Sequence, residues 1–183
     1  MINAITEVDR MASKPKLGYL GLGLMGSQMT KRLIKTGYQV TGFDPDPDKM
    51  SAAAANGVIA AASPAEVARA SDIVQACVIN TPALIEAIFG PDGIVEGGGA
   101  DKIFVDHSTT IADKTRQLAA RLKGETGMGW VDAPVSGGPP AAGTGELAIM
   151  VGGNDDDVIR VQPVLDTLGH NTHMGALGTG QVT

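Results

Sequence analysis

Disulfides, zinc sites and membrane spans all find too little material in this 183-residue sequence. A single cysteine, Cys77, closes no internal disulfide, and one cysteine with three scattered histidines gives no spacing that would hold zinc. A structural metal is therefore not expected. No apolar run approaches the roughly 18 to 20 residues of a membrane-crossing helix. The opening stretch, residues 1–16, is polar and mixed in charge and lacks the apolar centre of a secretion signal. Cationic excess is missing too: 14 Lys and Arg against 20 Asp and Glu leave a net charge of −6. That balance argues against a sequence-independent grip on nucleic acid or anionic membrane. The chain reads as cytoplasmic, and any anionic ligand must be held by local groups.

What the sequence does have is glycine, 25 residues with no collagen-like period. Glycine at that level implies tight turns and close backbone approaches. With 43% hydrophobic and 19% charged residues, the composition is that of an ordinary globular domain. Short apolar runs are expected as strands at 16–20, 38–43, 58–60, 73–79, 103–106, 130–133, 147–151 and 172–174. Between them, apolar residues at helical spacing predict helices at 25–35, 49–56, 64–70, 82–89, 111–123 and 155–168. Strands alternating with helices, several strands apolar throughout, indicate an α/β fold: a Rossmann-type, doubly wound, mainly parallel sheet with helices on both faces. The strand order expected for the first six is 3-2-1-4-5-6, with later strands extending the edge. The domain is placed at 16–177, after a polar arm at 1–15 with no assignable role. A glycine-rich exit at 178–183 reads as the start of a linker.

Gly21-Leu22-Gly23-Leu24-Met25-Gly26 follows the first strand and opens the first helix. There, backbone N–H groups and the positive helix end favour a pyrophosphate, and a Cβ at Gly21 or Gly23 would obstruct the turn or the ligand. Asp44 ends the second strand about 20 residues later, where a carboxylate accepts both hydroxyls of an adenosine ribose. Its other reading is a turn cap, like Asp46 and Asp48 beside it. Because this loop offers carboxylates and only Lys49 as a cation, NAD is favoured over NADP. The hydroxyls of Asp106-His107-Ser108-Thr109-Thr110 would bind a ribose or amide, or cap the next helix. In Asp132-Ala133-Pro134-Val135-Ser136-Gly137-Gly138, a serine and two glycines offer a hydroxyl and amides to a carboxylate, or form an ordinary turn. His107 reads as a surface or cap-adjacent histidine rather than a catalytic one. Cys77 reads as inert core, and Asp155, Asp156 and Asp157 as the start of a helix.

Those three segments together with Met150-Val151-Gly152-Gly153 resemble, in order from about residue 16 onward, the β-hydroxyacid dehydrogenase family, which includes 3-hydroxyisobutyrate, tartronate semialdehyde and 6-phosphogluconate enzymes. The resemblance implies that Gly21, Leu22, Gly23, Leu24, Met25, Gly26 and Asp44 hold the dinucleotide, with Val78, Ile79 and Thr109 near its nicotinamide. It implies that Ser136, Gly137 and Gly138 grip a small β-hydroxy acid. It also implies hydride transfer aided by a lysine on a helical second domain, shortly after a G-x-G-Q segment. Here that segment is Gly178-Thr179-Gly180-Gln181, so the lysine would fall beyond Thr183, and this chain would bind cofactor with little turnover, as a monomer or weak homo-oligomer. Val78-Ile79 stands where the family often has Leu-Pro, and Arg32 where it often has asparagine. The alternatives are a stand-alone, non-catalytic dinucleotide-binding or sensing module, and a methyltransferase using S-adenosylmethionine.

Overall fold

The computed structural model describes residues 14–182, so the expected arm at 1–15 falls outside it except for Lys14 and Pro15. Lys14 donates to the Thr36 carbonyl and lies over the Tyr38 ring, 4.5 Å from its centre.

Every residue of β1 (Leu17–Leu20) is buried, as a strand covered on both faces requires. α1 (Leu24–Lys35) buries Gly26, Met29, Thr30 and Leu33, one helical face, and carries Arg32 and Lys35 at its negative end. β2 (Val40–Phe43) leads to α2 (Pro47–Ala54), where the Asp46 carboxylate accepts the N–H groups of Asp48 and Lys49. After β3 (Ile59–Ala60), α3 (Pro64–Ala70) is capped by Ser63. β4 (Ile73–Ala76) precedes α4 (Thr81–Phe89), capped by Asn80. β5 (Ile103–Asp106), α5 (Ala112–Thr126) and β6 (Gly129–Asp132) complete the parallel run. β7 (Val135–Ser136), α6 (Gly138–Thr144), β8 (Leu147–Gly152), α7 (Asp155–Leu168) and β9 (Gly169–Gly175) follow.

The sheet order is β3-β2-β1-β4-β5-β6-β8-β7, with β9 also paired to β8. The first six strands are parallel in the expected order, whereas β8 runs antiparallel to β6 and β7. Register places Phe43, Leu20, Ala76, Asp106 and Asp132 in one row, so the loops after five neighbouring strands leave from one edge. Alternate strand residues feed two cores. Ile73, Ile103 and Val105 pack with α1 and α7, while Val74 and Phe104 pack with α3, α4 and α5. Among the described residues, no helix is long and apolar enough to cross a membrane.

Four elements depart from the sequence expectation. β4 stops at Ala76 rather than residue 79, because the Val78 N–H turns aside to the Ser108 hydroxyl and Asn80 begins the next helix. β7 and α6 were not expected at all. Gly137, Gly138 and two prolines look like breakers, yet prolines fit the first turn of α6, where their missing N–H costs nothing. β9 is longer than its forecast because it takes its partners from β8, a long-range pairing.

Candidate functional site

Between β2 and β4, on either side of β1, the chain switches direction along the sheet, and ligands of open α/β sheets collect at such points. A cleft of about 850 Å³ opens there, walled by Gly21, Gly23, Leu24, Met25, Gly26, Asp44, Val78 and Ile79. Leu24 and Ile79 are large apolar side chains left 81% and 92% exposed at its rim.

The three glycines differ in what a side chain would meet. Gly21 has φ +86°, and a Cβ there would lie 2.4 Å from the Cys77 carbonyl oxygen. A Cβ on Gly26 would lie 1.9 Å from the Gly21 carbonyl oxygen, so only glycine lets α1 rest on the turn. At Gly23 a Cβ would meet nothing within 4 Å. Nothing in the protein itself excludes a side chain at Gly23, and the space it would fill lies at the start of α1. That helix has no side-chain cap, and its first intrahelical donor is Ser27, 2.8 Å from the Gly23 carbonyl. The earlier N–H groups of its first turn therefore face this space without a helical acceptor. An open cradle lined by amides fits the phosphates of a dinucleotide.

Leu22 is buried beneath the turn, and its N–H donates to Asp44 Oδ2 at 2.8 Å. Asp44 Oδ1 accepts from the Asp46 N–H at 3.0 Å. Asp44 thus ties the glycine turn to the β2 loop, while each of its oxygens keeps a second lone pair. Lys49 Nζ lies 3.6 Å from Asp44 and 3.5 Å from Asp46, so the loop's single cation sits between two carboxylates.

Along the same edge, Val78 donates to Ser108 Oγ at 3.0 Å. One of the two lone pairs of that hydroxyl is therefore engaged within the protein. The hydroxyls do not cap α5, whose N-cap position is Ile111 and which has no side-chain cap. Thr110 instead bonds the Thr115 hydroxyl at 2.7 Å. Thr109, between two buried neighbours, is exposed on the loop and does not line the cleft. Ser136 and Gly137 are exposed on the corner between β7 and α6, with φ +129° at Gly137 and +71° at Gly138. That corner also stands outside the cleft walls.

His107 is the clearest correction: only 2% exposed, it is neither a surface nor a capping residue. Its Nδ1 lies 2.8 Å from the Ala133 carbonyl and must donate there. Burial pushes its pKa down to about 4, so the ring is neutral and Nε2 is an acceptor. Gln75 faces Nε2 at 3.0 Å, and turning its amide to present the NH2 group gives both atoms a partner. A ring satisfied at both nitrogens has no proton to offer a substrate. Cys77 lies just past β4 at the cleft wall instead of inside the strand, and burial raises its thiol to about 11, which leaves it unreactive.

Two carboxyls at strand ends carry more than their sequence positions revealed. Asp106 is fully buried; its Oδ1 accepts from Ser108 N–H at 2.9 Å, and its Oδ2 has no partner. Burial lifts its pKa to about 7, with the charge of Asp132 adding to the rise. Asp132 accepts from Gly178 N–H at 2.7 Å and Gln181 N–H at 3.1 Å. Its pKa is also raised by burial, against the pull of those N–H groups. The glycine-rich exit segment is thereby bound to the sheet edge. The available signal was a carboxylate ending an otherwise apolar strand.

The family described as the NAD binding domain of 6-phosphogluconate dehydrogenase matches residues 16–177. The mouse mitochondrial 3-hydroxyisobutyrate dehydrogenase is 37% identical over 172 residues, covering 93% of this chain and 51% of that protein. The 2-hydroxy-3-oxopropionate reductase of Escherichia coli K12 is 37% identical over 169 residues, 91% of this chain and 56% of that one. Among solved structures, a Mycobacterium tuberculosis 3-hydroxyisobutyrate dehydrogenase with L-serine superposes with a TM-score of 0.84 at 36% identity, over 92% of this chain and 57% of that chain. The chain thus spans about half the length of the curated relatives it matches.

Proposed function

This chain belongs to the β-hydroxyacid dehydrogenase family, and from that premise we propose that it is the NAD-binding part of an oxidoreductase acting on a small β-hydroxy acid. The observation that carries the reading is the Gly23 space, which no protein atom claims although both neighbouring glycines of the turn are sterically required. The first-turn amides of α1 hold the diphosphate, Gly23 lets it approach, and Asp44 takes the ribose hydroxyls with its remaining lone pairs. Leu24 and Ile79, exposed without a ligand, cover its apolar faces. The nicotinamide supplies a hydride acceptor or donor when bound. Thr109 and the Val78 backbone stand beside that end, and Ser136, Gly137 and Gly138 hold the substrate carboxylate. His107 is excluded as the proton carrier by its burial and its two engaged nitrogens. We therefore expect residues 1–183 to bind dinucleotide with little turnover. Assays of NADH formation with short β-hydroxy acids, on this chain and on one extended to the relatives' length, check this; equal rates would defeat it.

Calorimetric titration with NADH tests the binding itself, and no heat at millimolar ligand would sink the reading. Asp44→Asn keeps an acceptor for Leu22 but removes the charge. Hydrogen bonds to a charged group contribute roughly 1.5–3 kcal/mol, so its NADH affinity is expected to fall about tenfold or more. NADH is also expected to bind about tenfold more tightly than NADPH, because a 2′-phosphate would meet Asp44 and Asp46 with Lys49 already shared between them. Comparable affinities in parallel titrations would reverse that preference.

A further inference from the structure

Gln181 sits in a short 3₁₀ turn, Gly180–Val182, and uses its backbone N–H and both ends of its side-chain amide to bond the sheet edge. Its backbone N–H donates to Asp132 Oδ2, while Asp132 Oδ1 holds Gly178 N–H. Its side-chain amide accepts from Thr110 N–H at 3.0 Å and donates to the Ser108 carbonyl at 2.8 Å. The orientation of the amide is forced, since an N–H only donates and a carbonyl only accepts. These two backbone groups flank Thr109, and an adjacent strand would engage the same pair. Ser108, so fixed, holds the Val78 N–H through its hydroxyl. A continuous chain of bonds thus runs from Asp132 through Gln181 to the loops carrying Thr109 and Val78.

We propose, resting on the dinucleotide reading above, that Gln181, anchored by Asp132, is a positioning residue that sets how Thr109 and Val78 meet the nicotinamide half of the ligand. It touches no ligand itself. Its side-chain bonds go to the loop after β5, on both sides of the exposed Thr109, and none reaches the β1 turn or the β2 loop, so its loss should spare the adenosine end, where Asp44 and the glycine turn act alone.

The test compares NADH with ADP-ribose, which lacks the nicotinamide, on the full 183-residue chain. For Gln181→Ala the NADH dissociation constant is expected to rise about tenfold, as for losing two partnered hydrogen bonds, while that of ADP-ribose changes less than about twofold. Gln181→Glu has the same size and keeps the acceptor for Thr110, but sets a carboxylate oxygen against the Ser108 carbonyl. It is expected to lose as much as the alanine variant, whereas a residue that merely fills space would leave it like the unmutated chain. Unchanged NADH binding in both variants, or equal losses for the two ligands, would overturn the positioning role. Failure of the unmutated chain to bind either ligand would instead overturn the dinucleotide reading and this inference with it.

Discussion

Gly26→Ala is expected to destabilise the fold by more than about 3 kcal/mol and to remove dinucleotide binding, although alanine is the better helix former. Two effects oppose one another. Replacing glycine by alanine is worth at most about 1 kcal/mol in favour of the helix, and less at Gly26, the third residue of α1. Against it, the new Cβ would stand 1.9 Å from the Gly21 carbonyl oxygen and 3.0 Å from Tyr19. The nearer atom is backbone in a turn already at φ +86°, so no rotamer relieves the contact. Overpacking of this kind typically costs 1–3 kcal/mol where side chains can adjust, and this site cannot. α1 must move away from β1, carrying its first-turn amides out of the cradle. Denaturant unfolding measures the loss, with two comparisons to isolate its cause. Gly124→Ala in α5 meets nothing within 4 Å and should stabilise by up to about 1 kcal/mol. Gly23→Ala also meets nothing, so it should fold almost normally while losing NADH. A Gly26→Ala protein as stable as the unmutated one would show that the turn yields, and would undo the close-packing account.

Asp106→Asn is expected to stabilise the protein at pH 8 and to do little at pH 4. Burial raises the folded pKa of Asp106 from 3.8 to about 7. The folded state therefore holds a proton that the unfolded chain releases, so this group's contribution is intact below about pH 4. It is lost progressively as pH rises from about 4 to about 7. A shift of about three pH units corresponds to roughly 4 kcal/mol between those limits. Asparagine cannot ionise, so the variant escapes that loss, while its amide oxygen still accepts from the Ser108 N–H. Oδ2 of Asp106 already lacks a partner, so the amide NH2 replaces one unsatisfied atom with another. The difference in melting temperature between variant and unmutated protein should thus widen from pH 4 to pH 8. Taking the difference cancels the carboxylates that do not interact with Asp106, while the loss of its charge also eases the ionisation of Asp132, which widens the gap in the same direction. A gap that stays constant, or narrows, would mean that Asp106 is ionised in the folded protein at neutral pH.

Legibility from sequence followed the range of the interactions involved. Local patterns settled the glycine turn and the alternation of strands with helices, because apolar continuity, glycine stops and proline or aspartate starts act within a few residues; the strand order followed from the crossover rules of a doubly wound sheet. The sequence also placed Asp44 at the end of β2, beside the glycine turn. Only the tertiary structure decided that Asp44 binds Leu22, that His107 is locked inside between Ala133 and Gln75, and that Gln181 reaches Ser108 and Thr110. Those pairings join residues far apart in the chain, and composition carries no trace of which strand end a buried polar group will face. The same reason hid α6, whose Gly-Pro-Pro opening looks like a break until α1 is set against it. Sequence fixes what each segment prefers by itself; burial and long-range hydrogen bonds choose among those preferences once the strands have paired.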